Sequence, residues 1–277
     1  MIGIILSFSA ALCFGTATFC GGFATRRNHQ FQVLILTALS GFIVLLIAAA
    51  IKGESLPTRA GIVWSLFSGV AGGIGVASLY FALSVGNSAV IAPTAAVIGT
   101  AVPVIFTMAV HGAPTSMQLA GFILAFFGIW FVTRHPSASA KSDFRRDLLL
   151  SIIAGISLGG FFICIAQVEP EKVITPLLLA RGATFVVGSI LIFGKRISLP
   201  TLKESPIALF VGAVDAGGDI LFMVAKLFTR MDTVVIICSL NSAIVVILTA
   251  IFLKEKIKNW QKLGVVLCVL SIIFISL

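Results

Sequence analysis

The stretch FQVLILTALSGFIVLLIAAAI, residues 31–51, decides the fold class of this chain. It carries no charge and has the length of about 20 residues that a helix needs to cross a bilayer core of about 30 Å. In lipid, the backbone N–H and C=O groups all find hydrogen-bond partners only in helices and closed barrels. Barrel strands would alternate apolar and polar residues over about ten positions, whereas this stretch is apolar except at Gln32, Thr37 and Ser40. It therefore predicts a transmembrane helix.

Similar runs recur along the whole chain of 277 residues, which is 59% hydrophobic and only 10% charged. A soluble domain of this composition could not cover its exterior with polar groups, whereas a lipid-facing exterior needs none. We therefore predict an all-α integral membrane protein in which ten helices span the bilayer. The expected spans are residues 2–22, 31–51, 61–85, 88–110, 117–133, 148–167, 173–194, 206–229, 233–253 and 261–277.

The net charge of +9 comes from lysines and arginines that lie mostly in short connectors between these runs. Nucleic-acid binding would need a solvated basic face, and no polar segment here is long enough to form one. We therefore expect contacts with lipid headgroups and no nucleic-acid partner. The five cysteines lie within apolar runs without zinc-like spacing, so we expect them to pack as small residues, with no metal and no cofactor.

The chain also repeats. At an offset of 143 residues, Gly75 aligns with Gly218 and Gly121 with Gly264, and the offset holds across three spans and both connectors between them. We divide the chain into a first repeat at 1–134, a linker at 135–147 and a second repeat at 148–277. Five spans per repeat is an odd number, so the second repeat enters the membrane from the opposite side. The pattern predicts two inverted five-helix repeats around a central cavity, a plan common among secondary transporters.

Short motifs recur at corresponding places in both halves. In the second half a helix ends in Leu-x-Glu and the next begins with Gln-x-x-Gly, and the first half repeats the later part of this pattern. An aromatic–glycine pair lies in the first span and an arginine in the seventh. The residues concerned are Phe14, Gly15, Tyr80–Leu83, Pro93, Pro103, Gln118–Gly121, Arg181, Leu240–Ser242, Phe252–Ile257, Gln261 and Gly264.

These motifs resemble the EamA-like family of the drug/metabolite transporter superfamily, and the resemblance covers nearly the whole chain. It implies ten helices, two EamA-like domains, carrier activity and no ATPase. The chain departs from the pattern at Gly112, which stands where the second half has Glu255, and at Ala38, which falls near the counterpart of Arg181. The second half also lacks the two prolines of the fourth span. Substrate rules of individual family members therefore do not carry over.

Two carboxylates, Asp215 and Asp219, lie four residues apart near the middle of the eighth span, so they share one helix face. A carboxylate at this depth costs about 2.5–3.5 kcal/mol, so each needs a partner, water or a function. One interpretation is that they line the cavity and bind a cationic or zwitterionic solute, or carry a proton. The other is a structural ion pair with Arg181 or Lys226. Arg181 could equally bind a solute carboxylate or phosphate.

Four further residues are candidates for the transport pathway. Asn241 offers an amide in the middle of the ninth span, and Tyr80 is the only tyrosine; each could line the cavity or satisfy an interhelical hydrogen bond. Pro93 and Pro103 predict an interrupted fourth span that could hinge, as broken helices of transporters do; a kinked but closely packed helix is the alternative.

We predict a secondary transporter for a small polar metabolite, such as an amino acid or an amine, driven by a proton or another gradient. An intramembrane enzyme is the alternative, but Ala216-Gly217-Gly218-Asp219 misses the Gly-x-Gly-Asp motif of membrane aspartyl proteases. A channel-like membrane module is the other alternative. We expect the bacterial cytoplasmic membrane. The family implies both termini in the cytoplasm, whereas the charge bias of the connectors puts them outside. Monomer and homodimer both stay open.

Overall fold

The computed structural model describes residues 1–25, 28–85, 88–133, 144–198, 206–252 and 258–276. Within these ranges the chain is helical, with eleven α-helices and no strand. Their bounds are α1 Ile2–Thr25, α2 Gln30–Lys52, α3 Arg59–Val85, α4 Ser88–His111, α5 Ser116–Thr133, α6 Phe144–Ala166, α7 Ile174–Gly194, α8 Pro206–Ala225, α9 Met231–Ser239, α10 Asn241–Phe252 and α11 Asn259–Ser276.

Eight segments are long and apolar enough to cross a membrane, with α9 and α10 together forming one of them. The helices α5 and α11 are also apolar, but their apolar segments, Ser116–Val132 and Asn259–Phe274, are shorter than these eight. Large apolar side chains such as Ile51, Ile190 and Phe193 are exposed on the outside of the bundle. An apolar exterior of this kind is what lipid requires. The prediction of an all-α integral membrane protein is therefore confirmed at the level of its class.

The helix α2 shows how local sequence sets the ends of a span. At its start the backbone N–H of His29 donates to Oε1 of Gln32 (3.1 Å), which completes a capping box. At its end Gly53 takes a left-handed φ of 62°, and the N–H of Glu54 donates to the carbonyl of Ala49 (3.3 Å). This is a Schellman turn. It ends α2 sharply and fixes where Glu54 stands relative to the helix.

The ninth span is broken in two at Leu240, which separates α9 from α10. The N–H of Leu240 bonds only three residues back, to the carbonyl of Ile237 (3.1 Å), so the regular helix stops there. Just before the break, the Ser239 hydroxyl forms a hydrogen bond with the Thr100 hydroxyl of α4 (2.7 Å). The discontinuous helix of this fold therefore lies in the second half of the chain.

The fourth span differs from its prediction, because α4 continues without a break through Pro93 and Pro103. Proline at position 103 removes the partner of the Gly99 carbonyl. The structure packs α6 against this point: a Cβ at Gly159 would lie 3.1 Å from both the Gly99 oxygen and the Pro103 ring. Close packing supports the helix at Pro103. A hinge role for the two prolines stays a prediction, and the side chain of Pro93 lies outside the described residues.

The two halves pack mainly against each other. The contacts come in matching sets, because each helix of one half has a counterpart in the other. The helix α1 packs against α8, and its counterpart α6 packs against α3; α1 also packs against α9 and α10, and α6 against α4. In the same way α2 packs against α8, and its counterpart α7 packs against α3. Three pairs are formed by helices at the same place in each half, α2 with α7, α4 with α9 and α5 with α11. The largest apolar cluster likewise joins both halves, through Phe14 of α1, Ile165 of α6 and Phe222 of α8.

Glycines allow two of these helix pairs to approach closely, at matching places. A Cβ at Gly69 of α3 would overlap the Ala180 carbonyl of α7, and a Cβ at Gly212 of α8 would overlap the Thr37 carbonyl of α2. Gly69 and Gly212 are 143 residues apart, as are Thr37 and Ala180. The offset found in the sequence thus reappears as the same contact made twice.

Candidate functional site

The helices α7 and α8 bring Arg181, Asp215 and Asp219 together. Nη2 of Arg181 lies 2.5 Å from Oδ2 of Asp215 and 2.5 Å from Oδ2 of Asp219. The two carboxylates stand one turn apart on α8, so one guanidinium nitrogen can bridge them. The ion pair that the sequence left as an alternative to a free carboxylate site is therefore present, with Arg181 as its cation.

Neighbouring helices build this cluster through small residues. Gly41 of α2 leaves room for the arginine: a Cβ there would lie 3.5 Å from Cδ and Nε of Arg181. Gly212 seats α8 against α2, where a Cβ would overlap the Ser40 hydroxyl. Gly218 lies between the two carboxylates in the sequence and packs against the Phe14 ring of α1, 2.7 Å from where its Cβ would stand. The cluster therefore sits where α1, α2, α7 and α8 meet.

The three charged side chains differ in exposure. Asp219 is 5% exposed and Arg181 13%, whereas Asp215 is 31% exposed. With both carboxylates ionised, the cluster carries one more negative charge than positive. Since a buried ion pair is weakly stabilising at best and an extra buried charge is expensive, the unbalanced charge falls on the group that water or a solute can reach. Asp215 is thus the accessible member of the cluster.

Among the other predicted residues, Asn241 is described and the side chain of Tyr80 is not. Asn241 is the first residue of α10, directly after the break, and its carbonyl lies 3.0 Å from where a Cβ of Gly15 would stand. Tyr80 belongs to α3, but its side chain lies outside the described residues, as do Leu253 and Glu255 of the family motif. The structure therefore joins three of the five residues predicted to bind the solute.

Lys226 does not pair with the aspartates. Lys226 comes directly after the last residue of α8. Its ammonium donates to the carbonyls of Ala166 (3.0 Å) and Val168 (3.3 Å), where α6 ends. A cation at a helix C-terminus compensates the helix dipole and the unpaired carbonyls. Lys226 thus has a structural partner in the connector after α6.

The structure shows a cysteine beside the charged cluster and a separate cavity, and neither gave a clear signal in the sequence. Cys13 of α1 is partly exposed and lies close enough to Asp215 to interact with its charge. An apolar cavity of about 500 Å³ opens between α1, α8 and α10, lined by residues such as Phe19, Phe210 and Phe252. None of the residues that line this cavity is charged, and it does not include the Arg181 cluster. The cavity is not the charged site.

An apolar helical bundle with a charged cluster at its centre defines an integral membrane protein with a polar interior site. The sequence matches the model of the EamA-like transporter family at residues 1–134 and 146–277. The chain belongs to the EamA-like transporter family, and the predicted resemblance is confirmed.

Comparison with known proteins adds the fold. A solved crystal structure is 14% identical, superimposes with a TM-score of 0.77 and covers 98% of this chain and 95% of its own. At this identity the likeness shows the fold alone. No curated protein matches the sequence.

Proposed function

We propose that this transporter is a secondary carrier for a small cationic or zwitterionic metabolite, such as an amine or an amino acid, in the bacterial cytoplasmic membrane. The observation that carries the proposal is the composition of the central cluster: two carboxylates face one guanidinium, and the less buried carboxylate, Asp215, is partly exposed. An ammonium group or a proton would balance this charge.

The charge balance also supplies a means of coupling. Removing an ion from water into a low-dielectric interior costs several kcal/mol unless it is paired. Asp215 shares the Arg181 guanidinium with Asp219, so one negative charge of the cluster is unbalanced. A proton or a solute cation at Asp215 would balance it, and only one of these fits at a time. Competition between proton and solute for Asp215 would link solute movement to a proton gradient. Arg181 and Asp219 would hold the remaining pair in either case.

The packing between the halves supports alternating access. The helices α2 and α7 run antiparallel, because Gly41 lies beside Arg181 while Gly188 lies beside Ile35. The helices α5 and α11 are also antiparallel, because Gly128 lies beside Cys268 while Gly264 lies beside Val132. A two-fold rotation that exchanges antiparallel partners has its axis perpendicular to them. For helices that span a bilayer, this axis lies in the membrane plane, which favours the inverted repeats that rocking carriers use.

Thermal unfolding of the purified protein against a solute panel tests the proposal. A solute that binds only the folded state raises the unfolding temperature. We expect primary amines, quaternary amines or amino acids to stabilise the wild type, and Asp215→Asn to abolish the effect. The control is Glu171→Gln, a change at an exposed carboxylate in a connector, which should respond like the wild type. Stabilisation by organic anions that survives in Asp215→Asn would contradict the proposal and point to Arg181 instead.

A further inference from the structure

Polar side chains join the two halves on one face of the bundle. Successive spans alternate in direction, so Met1 shares a face with the connectors at 53–58, 112–115, 167–173 and 226–230. We call this the terminal face. The contact of Gly3 with Thr229 agrees with this assignment, since a Cβ at Gly3 would lie 2.8 Å from the Thr229 methyl group. The other connectors form the opposite face.

The strongest tie on the terminal face is made by Glu54. The helix α7 begins after Val173, which makes no side-chain cap of its own. Oε1 of Glu54 instead accepts from the backbone N–H groups of Val173 (3.1 Å), Ile174 (2.8 Å) and Thr175 (2.8 Å). A carboxylate at a helix N-terminus satisfies unpaired donors and the helix dipole together. The first half thereby caps a helix of the second.

A reciprocal tie runs from the second half to the first. Glu169, in the connector after α6, accepts hydrogen bonds from the backbone N–H (3.3 Å) and the hydroxyl of Thr58, which precedes α3. Lys172 in the same connector donates to the Ser55 hydroxyl (2.5 Å). Each of the two connectors therefore holds the other through charged side chains.

A further tie joins the connectors before α5 and α9. Arg230 donates through Nη2 to the carbonyl of Gly112 (2.8 Å) and is itself held by Asp232 (2.8 Å). Gly112 has a φ of 80°, a conformation that other residues rarely adopt. Gly112, which stands where the second half has Glu255, thus makes a contact between the halves.

On the opposite face, the described contacts between the halves involve other residue types. The turn after α7 matches the turn after α2: the N–H of Ile197 bonds to the Ile192 carbonyl as that of Glu54 bonds to Ala49. An isoleucine therefore stands where the terminal face has its capping glutamate. On this face the Gln32 amide donates to the carbonyl and hydroxyl oxygens of Ser198. The Lys195 ammonium, at the end of α7, lies over the rings of Phe31 (5.0 Å) and Phe81 (4.7 Å) of the first half.

We propose that Glu54 and Glu169 form the gate of the terminal face, and that the described conformation is the one closed on this face, with Asp215 reached from the opposite face. The inference rests on the proposed function. Opening the terminal face must separate Glu54 from α7 and Glu169 from Thr58, so removing either charge should shift the population towards the state open on that face.

Cys13, beside Asp215, serves as the reporter. In a Cys20→Ala, Cys164→Ala background it is the one partly exposed cysteine, because Cys238 and Cys268 are buried. The protein is reconstituted into liposomes, and an N-terminal tag open to added protease marks molecules with the terminal face outward. A membrane-impermeant cationic methanethiosulfonate is then added, and the modification rate of Cys13 is measured for each orientation.

We expect fast modification from the opposite face and slow modification from the terminal face. Glu54→Gln and, separately, Glu169→Gln should raise the terminal-face rate about tenfold or more, a factor equivalent to about 1.4 kcal/mol. Glu171→Gln, in the same connector as Glu169, should leave it unchanged. Equal terminal-face rates in the wild type and both variants overturn the gate, while modification from the opposite face would leave the proposed function standing. If Cys13 reacts from neither face in any variant, access of solutes to Asp215 is refuted, and the proposed function fails with the gate.

Discussion

Nη2 of Arg181 lies 2.5 Å from Oδ2 of Asp219, a carboxylate that is almost fully buried between α7 and α8. Asp215 contacts the same guanidinium nitrogen and is the more exposed of the two carboxylates. In the function that we propose, Asp219 and Arg181 compensate each other, while Asp215 binds the ligand.

Removing the cation of the cluster should destabilise the protein strongly. We expect Arg181→Gln to lower the free energy of unfolding by about 3–5 kcal/mol, because it leaves two carboxylates without their partner. Thermal unfolding in detergent measures the effect. The double variant Arg181→Gln/Asp219→Asn should recover part of the loss, since it also removes the more buried charge. Strictly additive effects of the two changes would show that the pair is not coupled.

A methyl group at Gly212 should disturb the contact of α8 with α2. A Cβ there would overlap the Ser40 hydroxyl and the Thr37 carbonyl, so we expect Gly212→Ala to destabilise the protein by about 1–3 kcal/mol. Gly217→Ala on the same helix is the matched control, because no atom lies within 4 Å of its Cβ position. That change should be neutral or slightly stabilising, since alanine favours a helix. Equal losses would argue against the close contact.

The Glu54 cap should make stability depend on acid pH. Burial alone would raise the pKa of Glu54, but hydrogen bonds from Lys52, Thr175 and Ile174 outweigh it and hold this pKa below its ordinary value. A lowered pKa contributes stability above the unfolded value of about 4.3, and this stability is lost as the pH falls through the folded pKa. We expect Glu54→Gln to cost about 1–2 kcal/mol at pH 7.

Unfolding temperatures measured from pH 7 down to about pH 3, a range that brackets the ordinary glutamate pKa, test this expectation. The wild type should lose more stability than Glu54→Gln below about pH 4.3, so the two curves should converge in acid. Glu171→Gln should follow the wild type. Curves that run parallel over the whole range would mean that the carboxylate does not cap α7.

The glycine that replaces the motif glutamate should resist substitution. Gly112 has a φ of 80° and no neighbour within 4 Å of its Cβ position, so only backbone strain opposes a side chain. We expect Gly112→Ala to destabilise the protein by about 1–2 kcal/mol. The control is Gly194→Ala at the end of α7, which is equally open but has no positive φ. Thermal unfolding compares them, and a neutral Gly112→Ala would contradict the left-handed conformation.

The positions of the helices were largely predictable from sequence. The expected span at 173–194 became Ile174–Gly194, and that at 31–51 became Gln30–Lys52. Both are set by the length of the apolar run, a local property. The eighth span is shorter than the predicted 206–229. The helix α8 ends at Ala225, because the Lys226 side chain turns to the carbonyls at the end of α6.

The contacts that could not be predicted are those between distant parts of the chain. No glycine or proline marks the break at Leu240. The capping of α7 by Glu54 joins residues about 120 positions apart, and only the fold brings them together. Within the site, the spacing of Asp215 and Asp219 predicted a shared face, but the choice of Arg181 over Lys226 as their partner depended on how α7 and α8 pack.

The interleaving of the two halves also bears on how the protein is made. The helix α1 finds its main partners in α8, α9 and α10, which leave the ribosome some two hundred residues after it. Until then it must stay in the lipid as an isolated segment, held by its own hydrophobicity. Insertion and assembly are thus separate stages in time, and a truncated chain that ends after α5 would remain in the membrane without a finished interior.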